Sequence, residues 1–200
     1  MKRLAALFLM LALLAGAFAA CAEEPASHVL VVYFSRAGEN YNVGTIEEGN
    51  TAKLAKIIAE QMGADLFEIV PELPYPVDYE ETKTVATRER ENDERPAYVG
   101  SIDSWDQYDT VFVGYPIWWG GAPMILYTFM EDYDWTDKTV IPFNTHEGSG
   151  QGNTVAQIER LCPGAKLLQG MAIRGSKAQN DAEGTAQDVA NWLNGLSMTK

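Results

Sequence analysis

Two rhythms of apolar residues alternate along this chain from residue 28 onward. His28 to Phe34 is a near-continuous apolar run, as a strand buried on both faces requires. Between Thr51 and Met62 the spacing changes, and Leu54, Ile57, Ile58 and Met62 recur at helical intervals. Strand-like runs return at 65–70, 110–115, 139–143 and 166–173. Helical spacing returns at 122–132, 153–161 and 183–195, where Ala186, Val189, Ala190 and Leu193 share one apolar face. The segment 71–104 is less regular. Pro71, Pro74 and Pro76 open it as an extended stretch, and 80–92 reads as a charged helix with a solvated face. Alternating strands and helices with no repeat and no linker predict one doubly wound α/β domain.

The first 21 residues break this pattern. Lys2 and Arg3 precede an apolar run from Leu4 to Leu14 and a small-residue tail from Ala15 to Ala20. That run is short for a membrane span and fits an export signal. Phe18-Ala19-Ala20-Cys21 resembles a bacterial lipobox with phenylalanine in the usual leucine place, which predicts lipidation of Cys21. Ala17-Phe18-Ala19 also fits ordinary cleavage. The expected organisation is a signal over 1–21, a short tether over 22–27 and the folded domain over 28–200.

Charge narrows the function. The chain has 15 basic and 28 acidic residues; loss of Lys2 and Arg3 leaves 13 against 28, a formal charge of −15. Such a field repels phosphate backbones, which argues against nucleic-acid binding. With Cys21 acylated, Cys162 has no partner for an intramolecular disulfide. One cysteine and two histidines are too few for a convincing transition-metal site, so no metal is expected.

Three loops carry the candidate chemistry. Ligands of open parallel sheets bind beyond the carboxyl ends of the strands, which points to the loops after the first, third and fourth strands. The first contains Ser35, Arg36, Ala37, Gly38 and Asn40, then reaches Asn50, Thr51 and Ala52 at a helix start. Its side-chain donors, free N–H groups and helix dipole suit a phosphate, and Asn50 or Thr51 is also a candidate helix cap. The sequence lacks G-x-x-x-x-G-K-[ST], which disfavours a triphosphatase. The second loop, Pro116-Ile117-Trp118-Trp119-Gly120, puts paired indoles at a strand-to-helix corner. They either cap the core or form a wall for a flat ring system such as a flavin. The third, Thr145-His146-Glu147-Gly148-Ser149-Gly150, offers hydroxyls and inward N–H groups for the polar edge of such a ring. Its glycine spacing is not the dinucleotide fingerprint.

Taken together, Phe34-Ser35-Arg36-Ala37-Gly38-Glu39-Asn40-Tyr41, Gly49-Asn50-Thr51, Gly114-Tyr115-Pro116-Ile117-Trp118-Trp119-Gly120 and Thr145 to Gly150 resemble the flavodoxin family over roughly 28–196. The resemblance implies a flavodoxin-like three-layer sandwich with a five-stranded parallel sheet in the order 2-1-3-4-5, and FMN as cofactor. The first loop would then hold the FMN phosphate, the second its isoalloxazine and the third its pyrimidine side. The fifth strand shows no long interruption, which resembles the short-chain form; the chain departs from many flavodoxins by an insertion of about ten residues between Gly38 and Gly49, where a helix usually starts almost at once, and by a third loop that lacks a stacking tyrosine. His146 is either a proton relay or a loop-shaping hydrogen bonder. A carboxylate of Glu147 about 7 Å from the ring would oppose reduction by roughly 2.4 kcal/mol at an effective dielectric near 20; Glu147 is equally a surface acid.

These readings predict an exported, membrane-tethered FMN electron carrier that serves a redox partner protein or a small quinone. The alternatives are an FMN-dependent NAD(P)H or quinone oxidoreductase and a cofactor-free flavodoxin-like scaffold.

Overall fold

The computed structural model describes residues 28–196. The signal, the lipobox with Cys21, the tether and the last four residues lie outside the described residues. In chain order the elements are β1 (Val29–Tyr33), β2 (Gly38–Asn40), β3 (Gly44–Ile46), α1 (Asn50–Met62), β4 (Asp65–Glu68) and β5 (Val70–Pro71). Next come α2 (Tyr79–Glu91), β6 (Tyr98–Val99), a short 3-10 turn at Trp105–Gln107, β7 (Thr110–Pro116), α3 (Met124–Glu131) and β8 (Thr139–His146). The chain closes with α4 (Thr154–Leu161), β9 (Lys166–Leu167), β10 (Met171–Arg174), α5 (Gly175–Asn180) and α6 (Ala182–Gly195).

The main sheet is parallel, in the order β10-β8-β7-β1-β4, with β9 also paired to β8. Counted as the main strands occur along the chain, this is the expected order 2-1-3-4-5. Side chains alternate across it. Leu30, Val32, Val111, Val113 and Tyr115 enter one core with Ile125, Leu126 and Phe129 of α3. Val31, Tyr33, Phe112 and Phe143 enter the other with Leu54 and Ile58 of α1 and Val189 of α6. Continuous apolar runs are what a strand covered on both faces needs.

Three features differ from the sequence-based expectation. The fifth strand is two pieces, β9 and β10. Gly170 lies between them, where a Cβ would stand 2.7 Å from the Pro142 carbonyl oxygen. The insertion after Gly38 is not a plain loop but the hairpin β2–β3, turned with Asn42 at φ 56. The charged helix α2 is half-buried, with Thr82, Ala86 and Glu89 packed inward.

Candidate functional site

The winding of the sheet reverses between β1 and β7, and the loops leaving β1, β7 and β8 converge just beyond those strands' carboxyl ends. Register sets their spacing: Tyr33 lies opposite Gly114, and Pro116 opposite Thr145. A cavity of about 460 Å³ opens there. Of the residues singled out in the sequence, Arg36, Asn40, Asn50, Pro116, Ile117, Trp118, Trp119, Gly120, Thr145, His146, Glu147 and Ser149 line it. Ser35, Ala37, Gly38, Thr51, Ala52, Gly148 and Gly150 are not part of the lining.

The first loop is built around the start of α1. Neither Asn50 nor Thr51 caps this helix: the cap position is Gly49, and the Ser35 hydroxyl accepts from the Ala52 N–H at 3.0 Å. A Cβ on Gly49 would stand 2.2 Å from that hydroxyl oxygen, so glycine is what lets the strand end reach the helix start. Thr51 is likewise committed, its hydroxyl sharing a 2.8 Å hydrogen bond with that of Thr145. Asn50 is different. It faces the cavity, and its Oδ1 is buried without a hydrogen-bond partner. Arg36 turns its guanidinium onto main-chain carbonyls, donating to Pro76 at 2.9 Å, to Val77 at 3.2 Å and to Glu39. Burial lowers its pKa.

At the corner the two tryptophans do different work. Trp118 and Gly121 exchange both backbone hydrogen bonds at 2.9 Å around Trp119 and Gly120, whose φ values are 52 and 75. Positive φ at both central residues is the signature of a type I′ turn, a conformation that a bulky aromatic rarely adopts. Trp118 sits edge-on to Phe34 and Tyr75, at 5.5 and 5.0 Å between ring centroids. Tyr75 in turn donates to the buried carboxylate of Glu89 at 3.0 Å. Trp119 is half-exposed, with the Arg90 guanidinium 5.6 Å from its ring centre.

The third loop is fastened to the corner. Ile117 N–H donates to the Thr145 carbonyl at 2.9 Å and Asn153 N–H to the Gly120 carbonyl at 3.0 Å. A Cβ on Gly152 would lie 2.4 Å from the same Gly120 oxygen, at a φ of +55. His146 Nδ1 accepts from the Gly148 N–H at 2.9 Å, which fixes the loop and requires that nitrogen to be unprotonated. Burial first, then the Arg174 charge, lowers its pKa against the opposing pull of Glu147. Glu147 is not a loose acid beside the cavity. Its carboxylate accepts from the Ser176 N–H at 2.6 Å and hydroxyl at 3.2 Å, with Arg174 3.8 Å away. That pairing offsets much of the field that an isolated carboxylate would exert.

The fourth wall was absent from the sequence-based site. Tyr41 of the hairpin and Tyr79, Thr82, Lys83 and Ala86 of α2 complete the lining. Tyr79, Thr82, Lys83 and Ala86 recur at i, i+3, i+4 and i+7, one helical face. This spacing was the available signal, hidden among the surrounding charges. Among the described residues no group of three or more metal-ligating side chains occurs, and no helix is long and apolar enough to cross a membrane.

Comparison with known proteins agrees with this geometry. The flavodoxin family model matches residues 28–196. A solved structure assigned as a flavoprotein from Bacteroides uniformis is 30% identical, covers 84% of this chain and 99% of its own, and superposes with a TM-score of 0.68. One from Bacteroides eggerthii is 29% identical over 86% of this chain and 98% of its own, also at 0.68. A flavoprotein of Lactobacillus acidophilus, solved in complex with FMN, shares the fold at 22% identity, 77% and 97% coverage and a TM-score of 0.58. No curated protein matches the chain significantly.

Proposed function

The chain belongs to the flavodoxin family, and from that premise we propose that it is an electron-transfer protein working with FMN held at the carboxyl edge of its sheet. FMN is the cofactor that family and site chemistry share; when bound it supplies the redox chemistry, taking up and releasing electrons. One observation carries the reading. Three loops of suitable chemistry meet in one cavity beside the reversal of the winding, the place where open α/β sheets bind ligands and a rule that flavodoxins themselves exemplify.

The residues fit the group. The free N–H groups at the N-terminus of α1 suit the phosphate end, and the unpartnered buried Oδ1 of Asn50, an acceptor, suits a hydroxyl of the ribityl chain beside it. Arg36 adds fixed positive charge on that side. Trp118 and Trp119 suit the faces and edge of the ring system, and the Thr145–Gly150 loop its polar edge. Ser35, Thr51 and Thr145 act indirectly, because their hydroxyls hold the loops together. His146 acts as a loop clasp in this reading, since its Nδ1 is occupied by Gly148.

The electron partner is a protein or a small quinone reaching the half-exposed corner. Export and lipid anchoring through Cys21 belong to the same proposal, resting on the lipobox-like Phe18 to Cys21. Two acyl chains or more hold a protein stably at a membrane where one is marginal. A Cys21→Ser change should therefore move the protein from the membrane to the soluble fraction. The deciding experiment is titration of the full-length chain with FMN, followed by flavin absorbance and fluorescence. Quenched fluorescence at micromolar or tighter affinity is the expected result. A folded protein that takes up no FMN would refute the redox function and leave a scaffold.

A further inference from the structure

The wall formed by the hairpin β2–β3 and α2 is not accounted for by the three loops. We propose that it is a second binding subsite, for a planar aromatic molecule bearing an anionic oxygen. The proposal rests on the FMN reading only for what lies beside it.

Tyr41 is 57% exposed, yet its ring is not free: it lies nearly parallel to Tyr79, 6.0 Å between centroids at 26°. Both rings line the cavity, so a flat guest entering there meets a prearranged aromatic pair on one side. Trp119, held half-exposed by its left-handed backbone, adds another ring to the lining.

Charge selects the guest further. Lys83 Nζ stands 5.4 Å from the Tyr79 ring centre. Its partner Glu80 lies 2.7 Å away but is 73% exposed and is not part of the lining, whereas Lys83 is. An ion pair so open to water is weak, and a ligand anion can displace it. Of the other charges of the lining, Arg36 is fixed by three carbonyls on the side proposed for the FMN phosphate, and Glu147 is bonded to the start of α5. In a chain with 28 acidic against 15 basic residues, a cavity lined by Lys83, whose ion pair with Glu80 is open to water, selects for an anion that can replace that carboxylate. Ring stacking together with a single ammonium group describes an aromatic carboxylate, phenolate or sulfonate.

The test uses the FMN-loaded full-length protein, the probe 2-naphthoate and its uncharged counterpart 2-naphthamide, with binding read by calorimetry. Wild-type protein should bind the naphthoate about threefold more tightly than the amide. Lys83→Met should abolish that preference, while Tyr41→Ala should weaken both probes by about fivefold. FMN affinity, measured in parallel, should change less than probe affinity in both variants. Their positions are exposed enough for the fold to survive, which circular dichroism checks.

An absence of naphthoate binding to the FMN-loaded protein overturns the subsite and leaves the electron-transfer reading intact. A charge preference that survives Lys83→Met also overturns it. So does a loss of FMN affinity as large as the loss of probe affinity, because the wall then belongs to the FMN site. A chain that takes up no FMN, yet binds naphthoate with the same dependence on Lys83 and Tyr41, refutes the proposed function and supports the subsite.

Discussion

The cavity has two walls of unlike construction. The sheet-edge wall is tied close to its backbone: a Cβ on Gly49 or Gly152 would meet a main-chain carbonyl oxygen at 2.7 or 2.4 Å, and its loops are joined carbonyl to N–H and through the hydroxyls of Ser35, Thr51 and Thr145. The outer wall, from the hairpin and α2, relies more on side chains, with stacked tyrosines, an exposed ion pair and the Arg90 contact with Trp119 beside a main-chain bond from Glu39 N–H to Val77. Backbone contacts tolerate almost no substitution, because nothing flexible can move aside. Side-chain contacts tolerate many. Structure is thus concentrated in the first wall and adjustability in the second.

The sharpest way to break this comparison is Gly49→Ala. The glycine has an ordinary φ of −65, so no conformational penalty arises; the added Cβ would instead stand 2.2 Å from Ser35 Oγ and 2.7 Å from the Arg36 carbonyl. A loss of about 1–3 kcal/mol is expected from overpacking. Denaturant unfolding measures it, and FMN affinity should fall with it. A neutral result would show that the sheet-edge wall is as yielding as the outer one.

Trp118→Ala comes next. It removes the ring that Phe34 and Tyr75 hold edge-on, and FMN binding should weaken by roughly 1–3 kcal/mol, by analogy with base–aromatic stacking. Flavin fluorescence titration reads the loss. Trp119→Asn should separate stability from binding. Asparagine tolerates the left-handed backbone at φ 52 better than tryptophan, so the I′ turn should gain up to about 1 kcal/mol of stability while FMN affinity declines. Parallel changes in both quantities would contradict this assignment.

The smallest effect concerns Glu89. Burial raises its carboxyl pKa above the ordinary value of 4.5, against the Tyr75 hydrogen bond that lowers it. A raised folded-state pKa gives stability that is complete below about 4.5 and is lost as pH rises through the folded value. Glu89→Gln should therefore flatten the pH dependence of the melting temperature above pH 4.5. Overlapping wild-type and variant profiles would refute it.

Most of the sheet was legible because its strands are buried on both faces, and such strands leave uninterrupted apolar runs. The sheet-edge wall was legible for a related reason: glycine, tryptophan and hydroxyl residues at strand ends are uncommon enough to stand out. The hairpin was hidden because Glu39-Asn40-Tyr41-Asn42 carries no apolar face, and its pairing follows from Gly38 and Gly44 at φ values of 89 and 92. The inward face of α2 was hidden because buried Thr82, Ala86 and Glu89 are not hydrophobic enough to mark it. The pairing of Glu147 was hidden because its partner Ser176 belongs to α5, a helix too short to leave a period in the sequence.

The fastening of the third loop to the tryptophan corner has a consequence for binding. With Asn153 bonded to Gly120, Ile117 to Thr145, and Gln157 Oε1 accepting from the Ala122 N–H at 3.0 Å, the two loops move as one piece. A ligand arriving at this edge does not have to order each loop in turn, and that entropy is already spent during folding. What a ligand can still rearrange is the stacked tyrosines and the exposed ion pair of the hairpin and α2. Affinity can be tuned from opposite sides of the same cavity.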